Sequence, residues 1–127
     1  MRQAFVLLTA GVLLFGAGLL VGQRTVTGEK TMIHAISFKQ AEGTTPEQIQ
    51  EVWAATRRMA AEVPGIRRIW TGKVTNRGEA LTHGIVMEFE NAKALEAYGP
   101  HPAHKKWEDV YFKVRTPGSN TIDVVGE

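Results

Sequence analysis

Ile33-His34-Ala35-Ile36-Ser37-Phe38-Lys39 alternates along its length, with His34, Ile36 and Phe38 on one side and Ile33, Ala35 and Ser37 on the other. That is the period of a strand. Neither side is strongly polar, so both faces need cover. Thr45-Pro46-Glu47-Gln48 follows and combines an N-cap threonine, a proline at the first helical position and a glutamine at N3, which together make a capping box. The helix it opens carries Ile49, Val52, Trp53, Thr56, Met59, Ala60 and Val63 on one face and Gln50, Glu51, Arg57, Arg58 and Glu62 on the other. This pattern makes Trp53 and Met59 core residues first. Pro64-Gly65 ends the helix.

Beyond that turn, Ile66 to Val74 reads as a second strand, with Ile66, Trp70 and Val74 on one side and Ile69 and Thr71 on the other. Thr82 to Glu90 reads as a third, its partner in a hairpin, with His83, Ile85, Met87 and Phe89 sharing a face. Asn91 caps a short helix through Ala94, Leu95 and Tyr98, which Gly99-Pro100 stops. Pro102 opens another helix with Ala103, Trp107, Val110 and Val114, and Thr121 to Val125 is a last strand. The order β-α-β-β-α-β predicts an α+β, ferredoxin-like protomer with both helical layers on one face of an antiparallel sheet. Helices on one side leave the other sheet face bare. A second copy packing sheet against sheet is expected to cover it, giving a homodimeric α/β barrel.

Upstream the composition changes. Residues Ala4 to Gly22 carry no charge, a run of 19 that as a helix would span about 28 Å, close to the thickness of a bilayer core. Residues 1–22 therefore read as a transmembrane anchor or a cleaved signal segment. Gly16-Ala17-Gly18 supplies the small residues of a cleavage site, although cleavage there would leave Leu19, Leu20 and Val21 on the mature terminus. Residues 23–31 are a polar linker, and residues 32–125 form the domain. Either reading exports the domain, to a membrane-anchored position outside the cytoplasm or to a secreted or periplasmic one. The anchor reading favours an internal N-terminus, and the GxxxG pair of Gly18 and Gly22 is a weak association signal.

The 127-residue chain has a formal charge of +2, with its basic residues in scattered pairs such as Arg57-Arg58, Arg67-Arg68 and Lys105-Lys106. A nucleic-acid partner is not expected. Without cysteine, thiolate nucleophiles, disulfides and Cys-ligated zinc are excluded.

The stretch Tyr98-Gly99-Pro100-His101-Pro102-Ala103-His104 carries the chemistry. Proline at 102 places His101 at a helix cap and His104 in the first turn, where the helix dipole disfavours imidazolium and lowers the histidine pKa. Tyr98 arrives across a tight turn, so Tyr98 and His104 are a candidate general base with an orienting partner. The competing structural reading has His101 and His104 bracing the turn and the Tyr98 ring filling core. His34 and His83 lie on apolar strand faces near opposite ends of an antiparallel pair, too far apart to share a metal. His101 and His104 have no evident third ligand, so no metal site is assigned.

Taken together, Ile33-His34-x-Ile36-x-Phe38-Lys39, Val63-Pro64-Gly65-Ile66, Thr82-His83-Gly84 and Tyr98 through His104 resemble the stress-responsive A/B barrel (Dabb) family over residues 32 to 125. The resemblance implies a ferredoxin-like protomer, a dimeric barrel and a cavity between helices and sheet. A plant member similar at these places is a cofactor-free polyketide cyclase whose catalytic tyrosine and histidine match Tyr98 and His104. Its further cavity histidines match His34 and His83. The expectations that follow are a dimer holding a small apolar or aromatic ligand in a stress response, or a cofactor-independent lyase or cyclase. His34, His83, His101, Trp53 and Trp70 are the candidate ligand-binding residues, and no cofactor is expected. A monooxygenase or haem-handling role, as in related dimeric barrels, is a third and weaker reading.

Overall fold

The computed structural model describes residues 30–126. The hydrophobic run 4–22 and most of the linker lie outside the described residues. Among those described, no helix is long and apolar enough to cross a membrane.

Among the described residues, four strands and three helices follow in the order β1 (Met32–Phe38), α1 (Pro46–Glu62), β2 (Ile66–Lys73), β3 (His83–Phe89), α2 (Ala92–Tyr98), α3 (Pro102–Tyr111) and β4 (Asn120–Val125). The strands form one antiparallel sheet in the order β2-β3-β1-β4. This is the ferredoxin-like α+β arrangement. The helix boundaries have local causes. Thr45 and Gln48 exchange a reciprocal capping box at the start of α1. Asn91 accepts from the Ala94 amide at the start of α2, and His101 accepts through Nδ1 from the Ala103 amide at the start of α3. Between α1 and β2, Gly65 takes φ +86°, and a Cβ there would lie 2.5 Å from that of Ala94. Only glycine fits this turn.

The core lies between the helices and the sheet face bearing Ile36, Phe38, Ile85, Met87 and Phe89, against Ile49, Val52, Trp53 and Met59 of α1 and Trp107 and Tyr111 of α3. Thr56, wholly buried, ties the two long helices together: its hydroxyl donates to the Val52 carbonyl and accepts from Trp107 Nε1 at 2.9 Å.

Simple alternation fails once, in β2. A bulge between Ile66 and Arg68 sets Ile66 opposite Phe89 and Trp70 opposite Val86. One extra residue reverses the facing of everything after it. Ile66 and Trp70 therefore point to opposite faces, and Ile69 and Thr71 join Ile66 on the helix side. Trp70 projects from the outer face and is 48% exposed. The same face carries Ile33, Ala35 and Val86, and from β4 Ile122 and Val124.

Candidate active site

Two cavities open between helices and sheet, and they divide the candidate residues. The first, of about 350 Å³, is lined by His34, Tyr98, His104, Trp107, Tyr111 and Arg115, among others. The second, of about 670 Å³, holds His83 and Trp53 together with Gln40, Gln50, Lys73 and Thr82. His83 pairs with Phe38, four residues along β1 from His34, which sets the two histidines about 13 Å apart along the strands. The ring of Phe38 packs against Trp53 and His83 of the second cavity and against Tyr111 of the first, so it touches both groups.

In the smaller cavity, the turn Tyr98-Gly99-Pro100-His101 closes with a hydrogen bond from the His101 amide to the Tyr98 carbonyl and reverses α2 into α3. That reversal brings the Tyr98 and His104 rings to 4.2 Å between centroids, tilted by 59°. They do not hydrogen-bond to each other. Instead His104 donates through Nδ1 to the Gly99 carbonyl at 3.0 Å, because a carbonyl oxygen only accepts. Nε2 is then the nitrogen left to accept a proton. The imidazole is held below its ordinary pKa, chiefly by burial, with the Glu108 carboxylate and the Gly99 carbonyl pulling the other way. The dipole argument gives the direction, but desolvation is the main cause. One face of His104 stacks on Trp107, which stacks in turn on Tyr111.

Tyr98 is 4% exposed, and its hydroxyl is buried without a hydrogen-bond partner. Burial raises its pKa well above the usual tyrosine value, and Glu108 and Tyr111 add to the effect. At neutral pH it is a hydroxyl with a proton to donate. His34, edge-on to Tyr98, donates through Nδ1 to Asp123 Oδ1 at 2.6 Å across the β1–β4 pairing. That bond fixes Nδ1 as a donor and orients the ring with Nε2 turned away from Asp123.

Asp123, Tyr111, Glu108 and Arg115 are site residues that the sequence reading passed over. Asp123 had a signal: a lone carboxylate between Ile122 and Val124, on the strand face that turns toward the helices. Tyr111 completes the 104, 107, 111 spacing of one helix face. The other candidates fall elsewhere. His101 spends Nδ1 on capping α3 and lies outside both cavities, which is the bracing role. His83, 7% exposed, bonds Thr82 Oγ1 and has its pKa lowered, first by burial and then by Lys73. Trp70, turned outward by the β2 bulge, reaches neither cavity. Among the described residues no group of three histidine or carboxylate side chains is placed to hold a metal ion.

Comparison with known proteins agrees with this fold. An olivetolic acid cyclase from Cannabis sativa is 31% identical over 81 residues, covering 61% of this chain and 80% of the cyclase. Among solved structures, a hydroxynitrile lyase from Passiflora edulis superposes with a TM-score of 0.67 at 12% identity, covering 77% of this chain and 94% of the lyase. A dimeric ferredoxin-like protein of unknown function from Thermobifida fusca does so with a TM-score of 0.65 at 15% identity, covering 81% and 97%. At these identities the two structures establish the fold alone. The family model of the stress responsive A/B barrel domain matches residues 33–123, and this chain belongs to that family.

Proposed function

We propose that the smaller cavity binds a small, largely aromatic molecule bearing a carbonyl or phenolic oxygen, and that Tyr98 and His104 move a proton on it without a cofactor. The observation that carries this reading is the Tyr98 hydroxyl, buried and unpartnered beside a histidine whose Nδ1 is already tied to Gly99. An orphaned buried hydroxyl is costly and calls for a partner that binds. In this reading Tyr98 donates to the ligand oxygen as charge develops there, while Nε2 of His104 takes the proton alpha to it. His34, backed by Asp123, supplies a second polar contact. A volume of about 350 Å³ suits a ligand built on one ring. The name of the cyclase relative supports proton transfer of this kind.

The test follows deuterium entering the methyl group of acetophenone in D2O by NMR. The wild-type protein is expected to accelerate exchange above the buffer rate, and His104→Gln to abolish the acceleration. Saturable binding of the ketone with no acceleration would reduce the site to a ligand holder.

The domain pairs through its outer sheet face in the same reading. Ile122 and Val124 are about half exposed there and share that face with Ile33, Val86 and Trp70, a surface that sheet-to-sheet packing would bury. The dimeric description of the Thermobifida fusca protein supports it. The run 4–22 holds this dimer at a membrane, with the domain outside the cytoplasm. Resistance to extraction by alkaline carbonate tests the tether, and release into the wash would remove it.

A further inference from the structure

Three buried side-chain polar atoms among the described residues have no hydrogen-bond partner: Tyr98 Oη, Tyr111 Oη and Arg115 Nε. All three residues line the same cavity. Orphans left by imperfect packing have no reason to gather in one place. Tyr98 belongs to the acid-base pair described above, but Tyr111 and Arg115 do not.

Arg115 is always charged, and no carboxylate lies within ion-pairing distance of it among the described residues. Its guanidinium carbon lies 5.2 Å from the Tyr111 ring centroid and 4.6 Å from that of Phe112, and its one hydrogen bond is a long one to the Thr116 carbonyl at 3.4 Å. Of the acids at the cavity, Asp123 accepts from His34 and Glu108 pairs with Lys105, while Glu96 at its rim makes no ion pair with Arg115. The backbone on either side is pinned, since the Ala41 amide donates to Val114 and the Thr116 amide donates to Lys39. The cation is therefore held in place before any ligand arrives. Tyr111 is also placed to donate. Burial raises its pKa, while the Ser119 hydroxyl, which approaches Tyr111 Oη without meeting hydrogen-bond geometry, and the Arg115 charge offset part of that rise.

We propose that the molecule taken by this cavity carries a carboxylate, received by Arg115 Nε and Tyr111 Oη, which presents its other end to Tyr98 and His104. Two donors meet the two oxygens, and a charge-assisted bond in a site with aromatic walls is stronger than a neutral one. The inference rests on the function proposed above and adds the class of substrate: an aromatic or short-chain acid with a second oxygen, or its immediate precursor.

The test compares binding of 4-hydroxybenzoate and its methyl ester to the full chain in mild detergent at pH 7.5, read by tryptophan fluorescence. The acid is expected to bind at least about tenfold more tightly than the ester. Arg115→Met, which keeps an apolar stem over Tyr111 and Phe112, is expected to weaken the acid at least about tenfold, far more than the ester, and so abolish the preference. Arg115→Lys is expected to fall between. Equal binding of acid and ester by the wild type overturns the proposal even if a variant fails to fold, as does a preference that survives in Arg115→Met. Ester binding that Tyr98→Phe weakens, with no preference for the acid, sinks only the carboxylate assignment. Binding of neither probe removes the proposed function with it.

Discussion

His104 is tied through Nδ1 to the carbonyl of Gly99 at 3.0 Å, so the residue that turns the chain also decides which nitrogen of the imidazole is free. With Nδ1 donating, Nε2 is the acceptor, and burial keeps the ring neutral at physiological pH.

Both His104 and His83 are held below the ordinary histidine value, each first by burial. Unfolding returns both to about pH 6.5. Between that value and their folded values the unfolded chain binds more protons, so stability is fully present above about pH 6.5 and falls as the pH drops below it. The carboxylates with lowered pKa, Glu47 and Glu88, act only below about pH 4.5. Urea unfolding from pH 7.5 to 5 is expected to show falling stability, and the His83→Gln, His104→Gln double variant a flatter profile. An unchanged slope in that variant would assign the pH dependence to other groups.

Thr56 joins α1 to α3 through one hydroxyl, which serves two partners. Thr56→Val keeps the shape but leaves Trp107 Nε1 buried without an acceptor, at a cost of about 1–3 kcal/mol. Thr56→Ser keeps the hydroxyl and is expected to lose about 1 kcal/mol or less, for a single methyl group. Denaturant midpoints check both, and a valine variant as stable as the wild type would mean the indole finds another acceptor.

Ile122 is exposed on the outer sheet face opposite Ala35, away from both cavities. Ile122→Glu places a charge where the second copy is expected to pack, at a desolvation cost large enough to separate the pair. Sedimentation of the variant should give a folded monomer where the wild type gives a dimer. A wild-type monomer at micromolar concentration would show that something else covers this face.

How far the sequence could be read follows from which patterns are local. The β1 and β3 alternation, the Thr45 capping box and the Pro64-Gly65 turn each depend on a few neighbouring residues, and the element order and fold class follow from them. The β2 facing does not. A bulge is a property of pairing with β3, and nothing in Ile66 to Lys73 announces it, so Trp70 reads as a cavity residue until the register is known. Tyr98 and His104 were legible because proline fixes the turn between them. Asp123 was not, because its partner His34 lies 89 residues away and meets it only through the β1–β4 ladder. The separation of His83 from His34 likewise depends on the β1–β3 ladder.

The most direct test is the urea unfolding free energy of Tyr98→Phe beside the wild type, both without ligand. If the hydroxyl stands unpartnered in the folded protein and waits for a ligand, its removal costs the fold nothing. Phenylalanine should leave stability unchanged or raise it by up to about 1–3 kcal/mol, the desolvation penalty relieved. A loss of more than about 1 kcal/mol would mean that the hydroxyl already has a structural partner, and would contradict the role assigned to Tyr98 in the site.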